Sequence, residues 1–284
     1  MPGIWVGKFE ASGTTDNYQI KPNQKSLTNI NISTMFNTSR TITTTKASTY
    51  GTSSSKSDSH MIKNMEWGVV AFLTNSIYGR YNDASTCIKS GCEVWINNIN
   101  IYTGAGSMPW GPSITGCSGS SASAAVSSSQ TACASGYDWK TKGVNASTTG
   151  NQYGIYDMSG GAWERVMGVQ KDSSGNVQVD SSGFSAASLP DGKYYDLYDY
   201  QAEDGVGYTR YHLGDATREV LKNTSSQGGN AWFSDYSYNI YSSAPWVDRG
   251  GHYYNGSSAG VFNFSRYYGL VNTAGSFRSV LTAN

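Results

Sequence analysis

Charge is what this chain has least of. Charged residues are 14% of its 284 residues, against about 25% in an ordinary soluble domain. Lys+Arg 20 and Asp+Glu 20 cancel to a formal net charge of +0, so nothing points to electrostatic capture of nucleic acid or of an anionic membrane. No apolar run approaches the ~18–20 residues of a membrane span; the longest lies around Val69-Val70-Ala71-Phe72-Leu73. Direct membrane insertion is therefore not expected. No signal peptide is visible, and Met1-Pro2-Gly3 reads as a start joined to a mature domain, with no export or anchor segment present. The three histidines, His60, His212 and His252, form no His-Glu-x-x-His pair, which argues against a zinc hydrolase. There is no Gly-x-Ser-x-Gly elbow, Walker loop or dinucleotide fingerprint. The carboxylates around Asp196, Asp199 and Glu203 are too scattered for a glycosidase pair.

What replaces charge is Gly 33, Tyr 21 and Trp 8, with abundant Ser, Thr and Asn. Hydroxyls and amides then supply polarity and aromatics the core, a recipe for a loop-rich or β-rich extracellular protein rather than a helical bundle. The four cysteines all fall between residues 87 and 133. Zinc sites favour tighter Cys-x-x-Cys pairs or supporting histidines, and neither is present. Two local disulfides, Cys87–Cys92 and Cys117–Cys133, are the preferred reading and imply an oxidising compartment; the alternative is four free thiols in a cytosolic protein.

Along the chain, Ile4, Val6 and Phe9 suggest an opening strand between glycines. Residues 12–60 read as coil with short strands, their core candidates being Ile30, Ile32, Met35 and Phe36. Residues 61–76 predict a helix, with Met61, Met65, Val69, Phe72 and Leu73 as its apolar stripe, Ser59 as cap and Gly79 after its end. Residues 80–150 hold the cysteines and a Ser/Ala tract and read as an inserted surface loop anchored by Trp95, Trp110 and Trp139. Residues 168–180 carry a hairpin signal around Ser173-Ser174-Gly175-Asn176. Residues 191–200 read as a solvated loop packing Tyr rings, and Asp215 can cap a short helix.

Three stretches stand apart: Gly154-Ile155-Tyr156-Asp157-Met158-Ser159-Gly160-Gly161-Ala162-Trp163-Glu164, then Arg249-Gly250-Gly251 with Ala259-Gly260-Val261-Phe262, then Ser276-Phe277-Arg278. Together they resemble the formylglycine-generating-enzyme type of C-type lectin fold, and most closely the variable proteins of diversity-generating retroelements. The resemblance implies one α+β, loop-rich domain over residues 1–284, with small antiparallel sheets and one or two helices. It also implies a rewritten C-terminal block at 244–284. The family's motif has Asn where Gly161 stands, in a region that helps hold calcium in the enzymes, so no cofactor is expected. The enzymes also need paired thiols near the C-terminal block, and residues 134–284 contain no cysteine, so no formylglycine-generating activity is expected.

The function this implies is non-enzymatic. His252, Tyr253, Tyr254, Asn255, Ser258, Asn263, Ser265, Arg266, Tyr267, Tyr268, Leu270 and Asn272 would display a face to a protein or glycan ligand on another cell or surface. Tyr with Ser and Gly is the mixture binding loops favour, since Tyr offers large amphipathic area at small entropy cost. An extracellular, cell-surface or phage-borne location follows, with a role in adhesion or recognition. Trp67, Trp163, Phe262 and Phe277 are expected in the core, and the face is expected to suit a partner surface rather than a deep pocket. The alternatives are a catalytic superfamily member with non-thiol chemistry, and a structural subunit of a pilus or surface fibre.

Overall fold

A computed structural model of the protein describes residues 3–81, 92–101, 110–127, 130–204, 211–222 and 229–284. Within them the fold is mixed α+β, with one large sheet and two small ones. The first small sheet brings the two ends of the chain together. β1 (Ile4–Val6) pairs antiparallel with β12 (Ser279–Ala283), which pairs antiparallel with β4 (Ser57–Met61). β2 (Ser12–Gly13) and β3 (Tyr18–Gln19) form the second.

The large sheet has seven strands and is not purely antiparallel. Its centre is β5 (Trp163–Gln170), buried on both faces except at Trp163. β5 pairs in parallel with β6 (Asp196–Tyr198) and β11 (Gly275–Phe277), and antiparallel with β9 (Trp246–Arg249). β10 (Phe264–Tyr267) follows β9, and β8 (Tyr236–Ser237) and β7 (Gly229–Asn230) complete the order. The small antiparallel sheets read from the sequence are therefore present, but beside a larger mixed one.

Strand alternation sorts the side chains of this sheet. Val166, Val247 and Phe264 face one core, packed with Trp67, Val70 and Ala71 of α3 (Asn64–Thr74). Met167, Val169, Trp246 and Phe277 face the other, packed with Ile32, Met35 and Phe36 of α1 (Ile32–Arg40). A short α2 (Ala47–Tyr50) follows α1.

Helix α1 lies where coil was expected. Its core residues are the expected Ile32, Met35 and Phe36, at helical spacing. The Asn31 side chain caps it by accepting from Thr34 N–H at 2.9 Å. Its Thr and Ser residues are weak helix formers, so burial against β4 and the sheet decides the conformation. Helix α3 is shorter than expected and turned on its axis. Met61 belongs to β4; Lys63 is the N-cap, and Glu66 closes the capping box at 2.9 Å from Lys63 N. The buried face is Asn64, Trp67, Gly68, Val70, Ala71 and Thr74, while Val69 and Leu73 are exposed. Ser59 instead sits in β4, donating to Ser39 O at 2.8 Å.

The expected surface insertion is internal only in part, since the described residues between 118 and 142 are exposed or half-buried. Ile96, Asn97, Ile99, Ile114 and Cys117 are buried. Cys117 and Cys133 are bonded, with Cα atoms 5.5 Å apart; the expected partner of Cys92, Cys87, lies outside the described residues. Asp215 accepts from Thr217 N at 3.1 Å, ahead of a single 3-10 turn at Arg218–Val220. Lys171 bridges Val177 across the expected hairpin turn, Asp172 N bonding Asn176 O. Among the described residues, no helix is long and apolar enough to cross a membrane.

Candidate binding site on the sheet face

The expected ligand residues separate into three groups. His252, Tyr253 and Asn263 are buried; Tyr254, Asn255, Tyr268 and Leu270 are exposed; Ser258, Ser265, Arg266, Tyr267 and Asn272 lie between. Phe262 and Phe264 are both fully buried, but Asn263 is buried too, because residues 261–263 turn before β10 begins. The expected turn at residues 266–268 is in part strand, since β10 runs to Tyr267.

Alternation brings the polar residues of three strands into one row. Arg165 of β5 pairs with Asp248 of β9, which pairs with Ser265 of β10. Trp163 shares the face of Arg165, and Tyr267 that of Ser265. With Asn29, Trp110, Arg266, Val271, Asn272 and Thr273, four of these (Trp163, Asp248, Ser265 and Tyr267) line a cavity of about 480 Å³. That volume falls in the ~300–1,000 Å³ of small-molecule sites. The face thus holds a pocket, not only a flat surface, and Ser265, Arg266, Tyr267 and Asn272 are the expected residues that reach it.

The floor is an ion pair. Arg165 Nη1 bonds Asp248 Oδ2, and both side chains are buried. The guanidinium lies flat on Tyr267, its carbon 3.3 Å from the ring centroid. It fits because residue 275 is glycine: a Cβ there would stand 2.6 Å from Arg165 Nη2. Burial pushes the Asp248 carboxyl up, and the Arg165 charge pulls it back. Asp248 Oδ1 has no hydrogen-bond partner.

The wall is aromatic. The rings of Trp110 and Trp163 stack at 5.0 Å, and His252 stacks on Trp163 at 4.2 Å. Burial, with the Arg165 charge second, pushes the His252 imidazole down to about 3. His252 is therefore neutral at pH 7, and its Nδ1 accepts from Tyr254 N–H at 3.4 Å. Tyr253 fixes Trp110 from behind: its hydroxyl donates to Gly111 O at 2.9 Å and accepts from Gly111 N–H at 3.0 Å. His252 and Tyr253 thus position the wall without being exposed. The rim is tied down by Asn29 N bonding Asn272 O at 2.9 Å, and by Tyr267 Oη donating to Leu270 O at 2.8 Å.

Trp163 differs from the expectation for it. Trp67, Phe262 and Phe277 are fully buried, but Trp163 is only partly so and lines the cavity. Its motif makes it look like core; only the meeting with Trp110 shows that it belongs to the cavity wall. Trp110, Asp248 and Asn29 carried no site signal of their own in the sequence.

Behind the pocket, the signature blocks meet in a buried charge cluster. Arg278 Nε bonds Glu164 Oε2 at 3.1 Å, Nη2 bonds Glu164 Oε1 and Tyr156 O, and Nη1 bonds Gly7 O at 2.5 Å. Glu10 accepts from Ala162 N–H at 2.9 Å and Ser113 Oγ at 2.8 Å. Gly161 has φ +73, and a Cβ there would collide with Glu10 Oε1. Glu10, on the segment between β1 and β2, thus occupies the space that a side chain at 161 would need. Among the described residues, no group of three or more His, Cys, Asp or Glu side chains could hold a metal ion. No family model matches the chain, and no curated protein matches it in sequence.

Proposed function

We propose that this protein is a non-enzymatic recognition module on a C-type-lectin-like scaffold, presenting its C-terminal block to a protein or glycan on another surface. The observation that carries this reading is the pocket itself. Alternate residues of β5, β9 and β10 converge there with Trp110, and the exposed Tyr254, Tyr268, Leu270 and Val271 stand on neighbouring segments. Aromatic and arginine side chains around a concave centre are the residues that most often dominate binding energy. The signature blocks support the scaffold reading: Glu164 and Arg278, far apart in sequence, form the buried pair that joins β5 to the C-terminus. A buried ion pair and a hydrogen-bonded aromatic wall pre-organise the pocket, which lowers the ordering cost of binding.

The test is a triple variant, Tyr254→Ala/Tyr268→Ala/Leu270→Ala, beside the wild type on arrays of immobilised cell-surface proteins and glycans. Exposed side chains contribute within about ±0.5 kcal/mol to stability, so the melting temperature should hold while retention on the array is lost. Unchanged retention by a folded variant would remove this face as the binding surface.

A further inference from the structure

Resting on the recognition reading, we infer that the pocket beneath this face takes a pyranose ring, an uncharged sugar seated on the tryptophan wall. Three observations converge on that class. First, Asp248 lines the cavity, and its Oδ1 is buried without a partner. An unpartnered buried acceptor is costly, so a ligand that belongs here brings a hydrogen-bond donor to it. Second, Trp110 and Trp163 offer indole surface, and the carbon-bound hydrogens of a pyranose face, which carry partial positive charge, suit the negative face of a ring. Third, the charges around the cavity are already balanced. Asp248 is paired with Arg165, and Arg266 is paired with Asp204 and stacked 3.5 Å over Tyr238.

That balance decides among ligand classes. A cation would enter against Arg266, and an anion would enter against Asp248. A neutral polyol opposes neither. Its hydroxyls find Asp248, Ser265, Asn29, Asn272 and Thr273 around the cavity. Short amides, hydroxyls and one carboxylate, without a free charge, are a polar set matched to hydroxyl groups.

The experiment uses saturation-transfer NMR and tryptophan fluorescence on the full chain with methyl pyranosides of the gluco, galacto, manno and N-acetylgluco series. Tetramethylammonium chloride and sodium acetate serve as the cationic and anionic probes. One pyranoside should receive saturation from the indole protons and quench the fluorescence. Its analogue lacking the hydroxyl that meets Asp248 should bind about ten- to a hundredfold more weakly. Asp248→Asn should weaken the parent by a similar factor, and Trp110→Ala, whose ring is only half-buried, should abolish binding with the fold intact. The same sugar at the end of an immobilised oligosaccharide separates the sources: tighter retention identifies a surface glycan, and equal affinity a free saccharide. Silence of every pyranoside at about 50 mM, preference for tetramethylammonium or acetate, or full binding by Trp110→Ala would overturn the inference. If the pyranosides are silent while array retention still depends on Tyr254, Tyr268 and Leu270, only the sugar assignment falls. If both fail, the recognition reading falls with it.

Discussion

Glu10 and Gly161 show how one residue can stand in for another's side chain. Glu10 is fully buried, and burial, then Asp157 and Glu164, hold its carboxyl well above the usual range. A carboxyl raised in this way holds its proton more readily than a free one, which eases the placing of a third acid beside a single arginine. Gly161 is held in the left-handed region, which Asn tolerates better than most residues, so the obstacle to Asn here is space. Gly161→Asn is expected to cost about 1–3 kcal/mol through overpacking. Glu10→Ala should itself destabilise, by leaving Ala162 N–H and Ser113 without their acceptor. The double variant should be more stable than the sum of the two, with a coupling of about 0.5–3 kcal/mol. Urea unfolding of the four proteins measures it; strict additivity would mean the Glu10 carboxylate is not what excludes a side chain at 161.

At the scale of elements, two tryptophans expected in the core have opposite roles. Trp67 on α3 is fully buried and donates from Nε1 to Val261 O at 2.8 Å, tying the helix to the turn before β10. Trp163 opens β5 at its one partly exposed position. Trp67→Ala should cost about 3–5 kcal/mol and yield insoluble protein. Trp163→Ala should remain soluble, melt closer to wild type and lose ligand binding, because it removes pocket wall rather than core. Circular dichroism melts of both decide this, and an unfolded Trp163→Ala would return that ring to the core. The turn of α3 on its axis has the same origin. Val69 and Leu73 are as apolar as Val70 and Ala71, so hydrophobic spacing alone defines two possible stripes. Asp196 accepting from Met65 N–H at 2.7 Å and the Lys63–Glu66 box orient the first turn.

For the whole molecule, pH acts through two opposed sets of groups. Burial pushes Glu164 up to about 7, although Arg278 pulls it back, and Glu10 and Asp157 are raised with it. A raised acid binds its proton more tightly when folded. Its contribution is thus complete below the unfolded value of about 4.5 and is lost as pH rises through the folded one. His252 runs the other way: lowered to about 3, it favours the fold above about 6.5, and that advantage drains as pH falls toward 3. Between about pH 4.5 and 6.5 the two slopes oppose, and with three raised acids against one imidazole stability should fall there as pH rises. Glu10→Gln should flatten the loss with rising pH, and His252→Phe should raise the melting temperature selectively below pH 6. Melting curves from pH 4 to 9 check both; a His252→Phe difference independent of pH would show that the imidazole does not titrate on unfolding.

Read alone, the sequence determined what depends on composition and short spacing. The scarcity of charge, the Cys117–Cys133 bond, the helix near residue 65, the buried Trp67, Phe262 and Phe277, and Ser265, Arg266, Tyr267 and Asn272 as residues of one region were all legible there. Each follows from propensity, apolarity or closeness along the chain. The tertiary structure alone decided what depends on distant segments crossing. Helix α1 forms from weak helix formers because β4 and the sheet cover it; part of the cysteine-bearing segment turns inward because Asn97 bonds Asp157 and Ile114. Asp248 becomes part of a pocket because Arg165 pairs with it across the sheet and Trp110 lines the same cavity. Strand register sets these meetings, and register is a property of pairs of segments that no single stretch of sequence contains.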